Sequence, residues 1–490
     1  MLYVAALLML AEFIGFKLLY PYANFLLDSN FYIDAAYHNL NIDIWPVAYS
    51  KFLRLFSVFT HSDLAFVTFQ FALVEISILY FYFTLLYFMR PGKWVAWLMI
   101  VLLVINPAIL SISNYILSDS IFTALTLIWF SLMVWNLCKP RPYQAYTLAV
   151  LLFFLFMLRY YAIFYPLLTF AVILISKLPW RTKITSIGLA ALLLSGFIWH
   201  TSNQYEKLLG RREFSAFSGW QIASNALIMY RNLHDYSTDK PPANLMSLHQ
   251  FVTHQLDSFN HLKARPDSVV QFFYMWSEVS PLRKYMRLRY QKDSSAPYFK
   301  RWASMGDEFK EYGTFLVKKH PLAYVQYYMG LGLQWYAVPT DEALKTYNSG
   351  QDSISPQIKD WFDFKSRRLK SASKRIYTLS FFPVITAVLN ALTVISVIGY
   401  FALSFYKKAT PNFTKIVLLF ASYWIINFFF SVVSAPMMLR YQITIMLFAI
   451  AFGSIIVEMI YNSDREPSPH SVESSITANN PLWQSEEFSY

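Results

Sequence analysis

Four charged side chains lie where apolar segments of the chain begin or end. Asp28 follows the first apolar run, Asp119 lies between the third and fourth, Arg159 between the fifth and sixth, and Arg440 opens the last. Charge beside hydrocarbon is costly and tends to mark function. Two carboxylates and two guanidinium groups at one membrane depth can bind an anionic lipid headgroup and perform acid–base chemistry on it.

Each of these residues also has a structural interpretation. Asp28 and Asp119 precede helical patterns, where an aspartate is an ordinary N-cap. Arg159 and Arg440 can join helices as ion-pair partners without touching a substrate. The sequence leaves both interpretations open.

The apolar segments that must position these residues dominate the 490-residue chain. Hydrophobic residues make up 56% of it and charged residues 14%, against about 25% charged in soluble proteins. A transmembrane helix needs about 20 mostly apolar residues. The predicted spans are 1–20, 64–89, 94–113, 118–138, 143–158, 160–177, 184–200, 378–405, 414–434 and 439–461. The predicted fold is therefore mostly α, a polytopic membrane protein with about ten transmembrane helices.

Basic residues between the spans predict the orientation. They are Arg90 and Lys93; Lys139 and Arg141; Lys177, Arg181 and Lys183; and Lys407, Lys408 and Lys415. These four loops share one side if the spans alternate, and the positive-inside rule makes that side cytoplasmic. We therefore expect a bacterial inner-membrane protein with both termini in the cytoplasm. The net charge of +12 is assigned to orientation and anionic membrane lipids, and nucleic acid is not an expected partner.

This orientation divides the chain into regions. Residues 1–200 form an N-terminal transmembrane module whose first outer loop, 21–62, is the predicted catalytic loop. Residues 201–376 form a mainly helical, extracytoplasmic soluble domain, long enough for a core of its own. Residues 377–462 hold the C-terminal transmembrane helices, and 463–490 form a disordered cytoplasmic tail.

The first outer loop holds two short helical patterns separated by Pro46. The pattern over 47–59 is amphipathic and predicts a helix lying in the membrane interface. Lys51 and Arg54 are three residues apart and share its polar face.

The order of these motifs resembles the C-type integral-membrane glycosyltransferases, in particular the protein O-mannosyltransferase and lipid A aminosugar transferase branch. The resemblance is carried by Asp28 with Tyr32, Pro46-x-x-Tyr49-Ser50, Asn106-Pro107, Tyr115, Ser118-Asp119-Ser120, Arg159-Tyr160 and Arg440-Tyr441. It covers about residues 1–200 and, more weakly, 378–461.

The resemblance implies transfer of a sugar from a polyprenyl-phosphate donor to a glycan, lipid or protein acceptor at the outer membrane face. Asp28 would be the general base, and a single displacement would invert the sugar. Asp119 would orient the acceptor, support Asp28 or help hold a divalent cation such as Mg²⁺ or Mn²⁺. The implied donor-binding residues are Lys51, Arg54, Arg159 and Arg440, with Tyr32, Tyr49 and Tyr441. Many members carry two adjacent acids in the first loop; here Asp34 or Asp43 would be the second.

Other motifs narrow the alternatives. Cys138 is the only cysteine, and the chain has no HExxH, Walker A, GxGxxG or GxSxG pattern. A Cys- or His-based metal site, nucleotide chemistry and a nucleophile-elbow hydrolase are therefore not indicated. A polysaccharide polymerase or ligase, a lipid or sugar transporter, and an envelope scaffold are the alternative functions.

Overall fold

The computed structural model describes residues 2–233, 236, 239–267, 271–291, 295–341 and 344–463. Helices supply the regular structure of these residues, and their β pairing is confined to isolated bridges. The predicted class, a helical multi-pass membrane protein, is confirmed at this level.

Seven helices of the described chain are long and apolar enough to cross a membrane. They are Asp63–Met89, Lys93–Asn114, Asp119–Cys138, Trp180–Leu209, Tyr377–Ala402, Pro411–Ser434 and Leu439–Asn462. The second of these consists of two helices, Lys93–Val104 and Pro107–Asn114, with a break at residues 105–106. Two apolar helices are shorter, Pro142–Leu158 and Tyr160–Ile175. The first helix, Leu2–Leu19, carries Glu12 and Lys17 among its apolar residues. Helices thus occupy every predicted span position, and seven of them have the length and composition of a span.

Shorter helices lie elsewhere in the described chain. Two lie in the first loop, Leu27–Tyr37 and Ala48–Ser57. The later ones are Phe217–Tyr230, Ala243–Leu245, Met246–Asn260, Phe273–Trp276, Pro281–Arg289, Tyr298–Ser304, Gly306–Lys319, Pro321–Ala323, Tyr324–Met329, Gly330–Ala337, Tyr347–Gly350, Pro356–Trp361 and Phe405–Lys407. Pro321–Ala337 runs without a break, and its middle section, Tyr324–Met329, is a π-helix.

Two large hydrophobic cores organise these helices. The first contains the apolar helices together with residues from the 344–382 region. The second is built almost wholly from residues 205–328 and is joined by Ile44 and Trp45 of the first loop. Each core buries apolar area of its own, which stabilises the part of the chain that forms it.

The helices Phe217–Tyr230 and Gly306–Lys319 cross at very short range in the second core. A Cβ at Gly219 would lie 1.7 Å from the carbonyl oxygen of Gly306. A Cβ at Gly313 would lie 2.6 Å from the backbone nitrogen of Ala223. Only glycine permits backbones to approach this closely, so these residues determine how the two helices pack.

The structure differs from the predicted division at two places. The helix that contains the predicted span 184–200 continues without a break to Leu209. The 344–376 region packs into the first core, where Tyr347 donates a hydrogen bond to the Tyr22 carbonyl and Ala372 donates one to the Leu19 carbonyl. Local hydropathy gives no signal for such contacts. Apart from Ser463, the predicted tail at 463–490 lies outside the described residues.

Candidate functional site

Asp28 lies in the first turn of the helix Leu27–Tyr37. The N-cap of that helix is Leu26, whose N–H donates to the Ser29 hydroxyl at 3.0 Å. Asp28 is therefore not the N-cap. The preceding residues are tied down by Asn24, whose N–H donates to the Asn114 carbonyl at 2.7 Å and whose carbonyl accepts from Ile116 at 3.1 Å.

The segment that leads to Asp119 is fixed by a buried glutamine. Gln70 donates to the carbonyls of Ser113 and Tyr115 at 2.9 and 3.0 Å, and it accepts from the Tyr49 hydroxyl at 2.9 Å. Asp119 opens the helix Asp119–Cys138, and the N-cap residue is Ser118. The cap interpretation therefore fails for Asp119 as well, and its carboxylate is available to other partners.

Tyr32 and Tyr49 pack against each other beside the segment that leads to Asp119. The Tyr32 hydroxyl lies 3.1 Å from the Ser118 hydroxyl, and the two aromatic rings meet edge to face at 4.9 Å. Tyr49 is completely buried, and only Tyr32 of the pair borders the cavity described below. Tyr49 therefore positions the loop before Asp119 and does not face the cavity.

Arg440 reaches the same place from the other end of the sequence. It lies at the start of the last helix, where the Leu439 N–H donates to the Thr340 carbonyl at 3.0 Å. Arg159 has an extended backbone and lies between the helices Pro142–Leu158 and Tyr160–Ile175.

The four charged side chains form a continuous ion-pair chain. Arg159 contacts Asp119 at 2.8 Å, Arg440 contacts Asp28 at 3.0 Å, and Arg440 also lies 3.9 Å from the second oxygen of Asp119. The order along this ion-pair chain is Arg159, Asp119, Arg440, Asp28, so positive and negative groups alternate in space. The side chain of Asp119 is 3% exposed and that of Asp28 is 20% exposed.

Tyr441 lies between the two arginines. Its ring centre is 5.0 Å from the Arg159 guanidinium and 4.8 Å from that of Arg440, within the range of cation–π attraction. Its hydroxyl also accepts a hydrogen bond from Arg440 at 2.8 Å. The Nε of Arg440 is buried and has no hydrogen-bond partner within the described part of the chain.

The ion-pair chain borders a cavity of about 1390 Å³ between the two cores. Asp28, Asp119, Arg159, Arg440 and Tyr441 lie on its inner wall. The second core supplies the outer wall, which includes Arg211, Glu213, Phe217, Gln221, Lys310 and Lys318. The sequence analysis did not indicate the charged outer-wall residues Arg211, Glu213, Lys310 and Lys318, because no short motif connects them to the inner wall.

Lys51 and Arg54 do not border this cavity. Lys51 donates to Asn39 and Asn41 on the exposed surface, and Arg54 donates to the carbonyls of Ala36 and Tyr37. The structure therefore does not bring these two predicted donor-binding residues together with Arg159 and Arg440. Both basic groups bind within the first loop, because the helix Ala48–Ser57 packs against the helix Leu27–Tyr37.

The acids proposed as partners of Asp28 also lie elsewhere. Asp34 accepts from Gln357 at 2.6 Å and lies 3.2 Å from His38. Asp43 lies near the second core, where burial raises the pKa of its carboxyl to about 7, a backbone hydrogen bond from Ile44 opposes the rise, and Asp34 adds to it. Neither acid borders the cavity.

Whether a divalent cation can bind between Asp28 and Asp119 depends on Arg440, which lies between them. Among the described residues there is no group of three or more His, Cys, Asp or Glu side chains placed to hold a metal ion. The carboxylates of Asp28 and Asp119 both face the Arg440 guanidinium. A Mg²⁺ or Mn²⁺ ion bridging them would have to displace that guanidinium, so the arrangement does not fit a metal as it stands.

Comparison with protein-family models, characterised proteins and solved structures finds no match for this chain. The fold and the site nevertheless define a class. This is a helical multi-pass membrane protein with a chain of alternating carboxylate and guanidinium groups beside a large cavity.

Proposed function

We propose that this protein is a glycosyltransferase that moves a sugar from a polyprenyl-phosphate carrier to an acceptor hydroxyl, with inversion. The observation that carries the proposal is the placement of Asp28 and Asp119 against Arg440 and Arg159 at a large cavity. Such a site combines a carboxylate that can accept a proton with cations that can stabilise a leaving phosphate.

In the proposed reaction Asp28 removes the proton of the acceptor hydroxyl. The hydroxyl oxygen attacks the anomeric carbon from the side opposite the carrier phosphate, and the bond from that carbon to the phosphate oxygen breaks. The phosphate leaves with the bonding electrons, and its negative charge is stabilised by the Arg440 and Arg159 guanidinium groups. Asp119 holds both arginines in place, and no step uses a metal.

The size of the cavity supports a reaction with two substrates. Single-ligand pockets commonly measure about 300–1,000 Å³, and this cavity measures about 1390 Å³. Apolar side chains such as Ile163 and Phe430 border the cavity beside the charged groups. A lipid-linked sugar and a glycan, lipid or protein acceptor could occupy such a space together.

The proposal includes a membrane arrangement with ten crossings, cytoplasmic termini and the second core outside a bacterial inner membrane. One contact supports the alternation of spans. The Gly92 N–H donates to Glu458, near the far end of the last helix. Arg440 lies at the near end of that helix with Asp28 and Asp119, so the loop around Arg90 and the ion-pair chain lie at opposite ends.

The test is a transfer assay with purified protein in nanodiscs and radiolabelled polyprenyl-phosphate sugars. We expect transfer by the wild type and none by Asp28→Asn, with the variant still expressed and inserted in the membrane. Full activity of Asp28→Asn would show that Asp28 is not the general base. Carrier-lipid movement between leaflets without a new glycosidic bond would support the transporter, and joining of preformed chains would support the polymerase or ligase.

A further inference from the structure

The ion-pair chain contains as many carboxylates as guanidinium groups. Arg159 and Arg440 are balanced by Asp119 and Asp28, and the two central members each face two opposite charges. A ligand anion that enters the cavity therefore meets no uncompensated guanidinium within this ion-pair chain. It must compete with a carboxylate of the protein itself.

Asp28 is the carboxylate that can yield. Its one contact in the chain is with Arg440 at 3.0 Å, and its side chain is 20% exposed beside the cavity. Asp119 is 3% exposed, contacts Arg159 at 2.8 Å and faces Arg440 as well. Displacement of Asp119 would break two interactions in a buried place, which costs more than displacement of Asp28.

We propose that Asp28 masks the anion-binding face of Arg440 in the free protein, and that the carrier phosphate displaces it and thereby releases the catalytic base. This inference rests on the proposed function. The phosphate oxygens accept the Arg440 N–H donors that Asp28 held, and no covalent bond changes. The buried, unpartnered Nε of Arg440 offers a further donor.

Release links donor binding to activation of the acceptor. While Asp28 accepts from Arg440, one of its oxygens is occupied by an N–H donor. A carboxylate must reach the proton that it removes at hydrogen-bond distance. Displacement by the donor phosphate frees this oxygen to bind an acceptor hydroxyl, which favours acceptor activation when a donor is in place.

The test measures binding of polyprenyl phosphate to the full chain in nanodiscs. Asp28→Asn removes the competing charge with little change in size, so we expect a Kd about tenfold lower than that of the wild type. Asp34→Asn is the matched control, since Asp34 lies on the same helix outside the cavity. Its Kd should equal that of the wild type.

Two further measurements separate charge competition from a general effect on structure. In an Arg440→Gln background, Asp28→Asn should no longer tighten binding, because the contested cation is gone. Uncharged polyprenol should bind Asp28→Asn and wild type equally. An unchanged or higher Kd for polyprenyl phosphate in Asp28→Asn, with wild-type binding intact, overturns the inference and leaves the proposed function standing. Failure of every variant, wild type included, to bind the carrier overturns both.

Discussion

The guanidinium of Arg440 donates a hydrogen bond of 3.0 Å to the carboxylate of Asp28, although 412 positions separate them in the sequence. The same guanidinium lies 3.9 Å from Asp119. One side chain from the last helix therefore joins the two carboxylates supplied by the first loop and by the helix Asp119–Cys138. The site exists only when the first and last parts of the chain are packed together.

Arg440→Gln should destabilise the protein as well as weaken carrier binding. It leaves Asp28 and Asp119 facing each other's charge with one cation fewer, and loss of one partner of a buried pair costs about 3 kcal/mol in free energy of unfolding. Thermal unfolding in detergent measures this change. The double variant Arg440→Gln/Asp28→Asn should recover part of the loss, and a double variant less stable than Arg440→Gln would contradict the ion-pair explanation.

Gln70→Met should lower both stability and transfer, although Gln70 does not border the cavity. The change leaves the carbonyls of Ser113 and Tyr115 and the Tyr49 hydroxyl without their buried partner. Unsatisfied buried groups cost about 1–3 kcal/mol each. Transfer assays should show a lower kcat, because Asp119 follows this segment. Thr68→Val, two residues away on the exposed side, is the control.

Gly219→Ala should destabilise the second core by about 3 kcal/mol, because the added methyl group overlaps the backbone of Gly306. The helices Phe217–Tyr230 and Gly306–Lys319 must then separate, and they carry the outer wall of the cavity. Thermal unfolding and a transfer assay measure the effect. Gly196→Ala is the control, since nothing lies within 4 Å of a Cβ there. Equal behaviour of the two variants would refute the close helix crossing.

Lys51→Gln combined with Arg54→Gln should leave the Kd for polyprenyl phosphate within about twofold of the wild type. Both cations are bound by groups of the first loop, away from the cavity. Arg159→Gln, which changes a cation on the cavity wall, should raise the Kd about tenfold. If the Lys51/Arg54 variant lost binding and Arg159→Gln kept it, the carrier phosphate would lie over the first loop.

Ionisation of Asp43 should lower the free energy of unfolding as the pH rises from about 4 to about 7. Burial raises its pKa in the folded protein to about 7, above the value of about 4 for an unfolded chain. The folded state therefore binds more protons across this interval, and its stability decreases with pH. Asp43→Asn should flatten this part of the profile of unfolding midpoint against pH. A profile identical to that of the wild type would exclude Asp43 as the titrating group.

The sequence alone determined the helical membrane class and the positions of the apolar helices. Hydropathy is a local property, so runs of about 20 apolar residues are visible without any tertiary contact. It also indicated Asp28, Asp119, Arg159 and Arg440, because helices that alternate in direction bring such span ends to one level.

Tertiary structure alone decided which of these residues meet and what surrounds them. The sequence predicted Lys51 and Arg54 as donor-binding residues together with Arg440. In the structure, both side chains form hydrogen bonds within the first loop and do not reach the cavity. The charged side chains of the outer wall, such as Arg211 and Lys310, come from the part of the chain that forms the second core, and no sequence motif indicates them. Contacts between residues hundreds of positions apart depend on how helices pack, and that information is spread over many side chains at once.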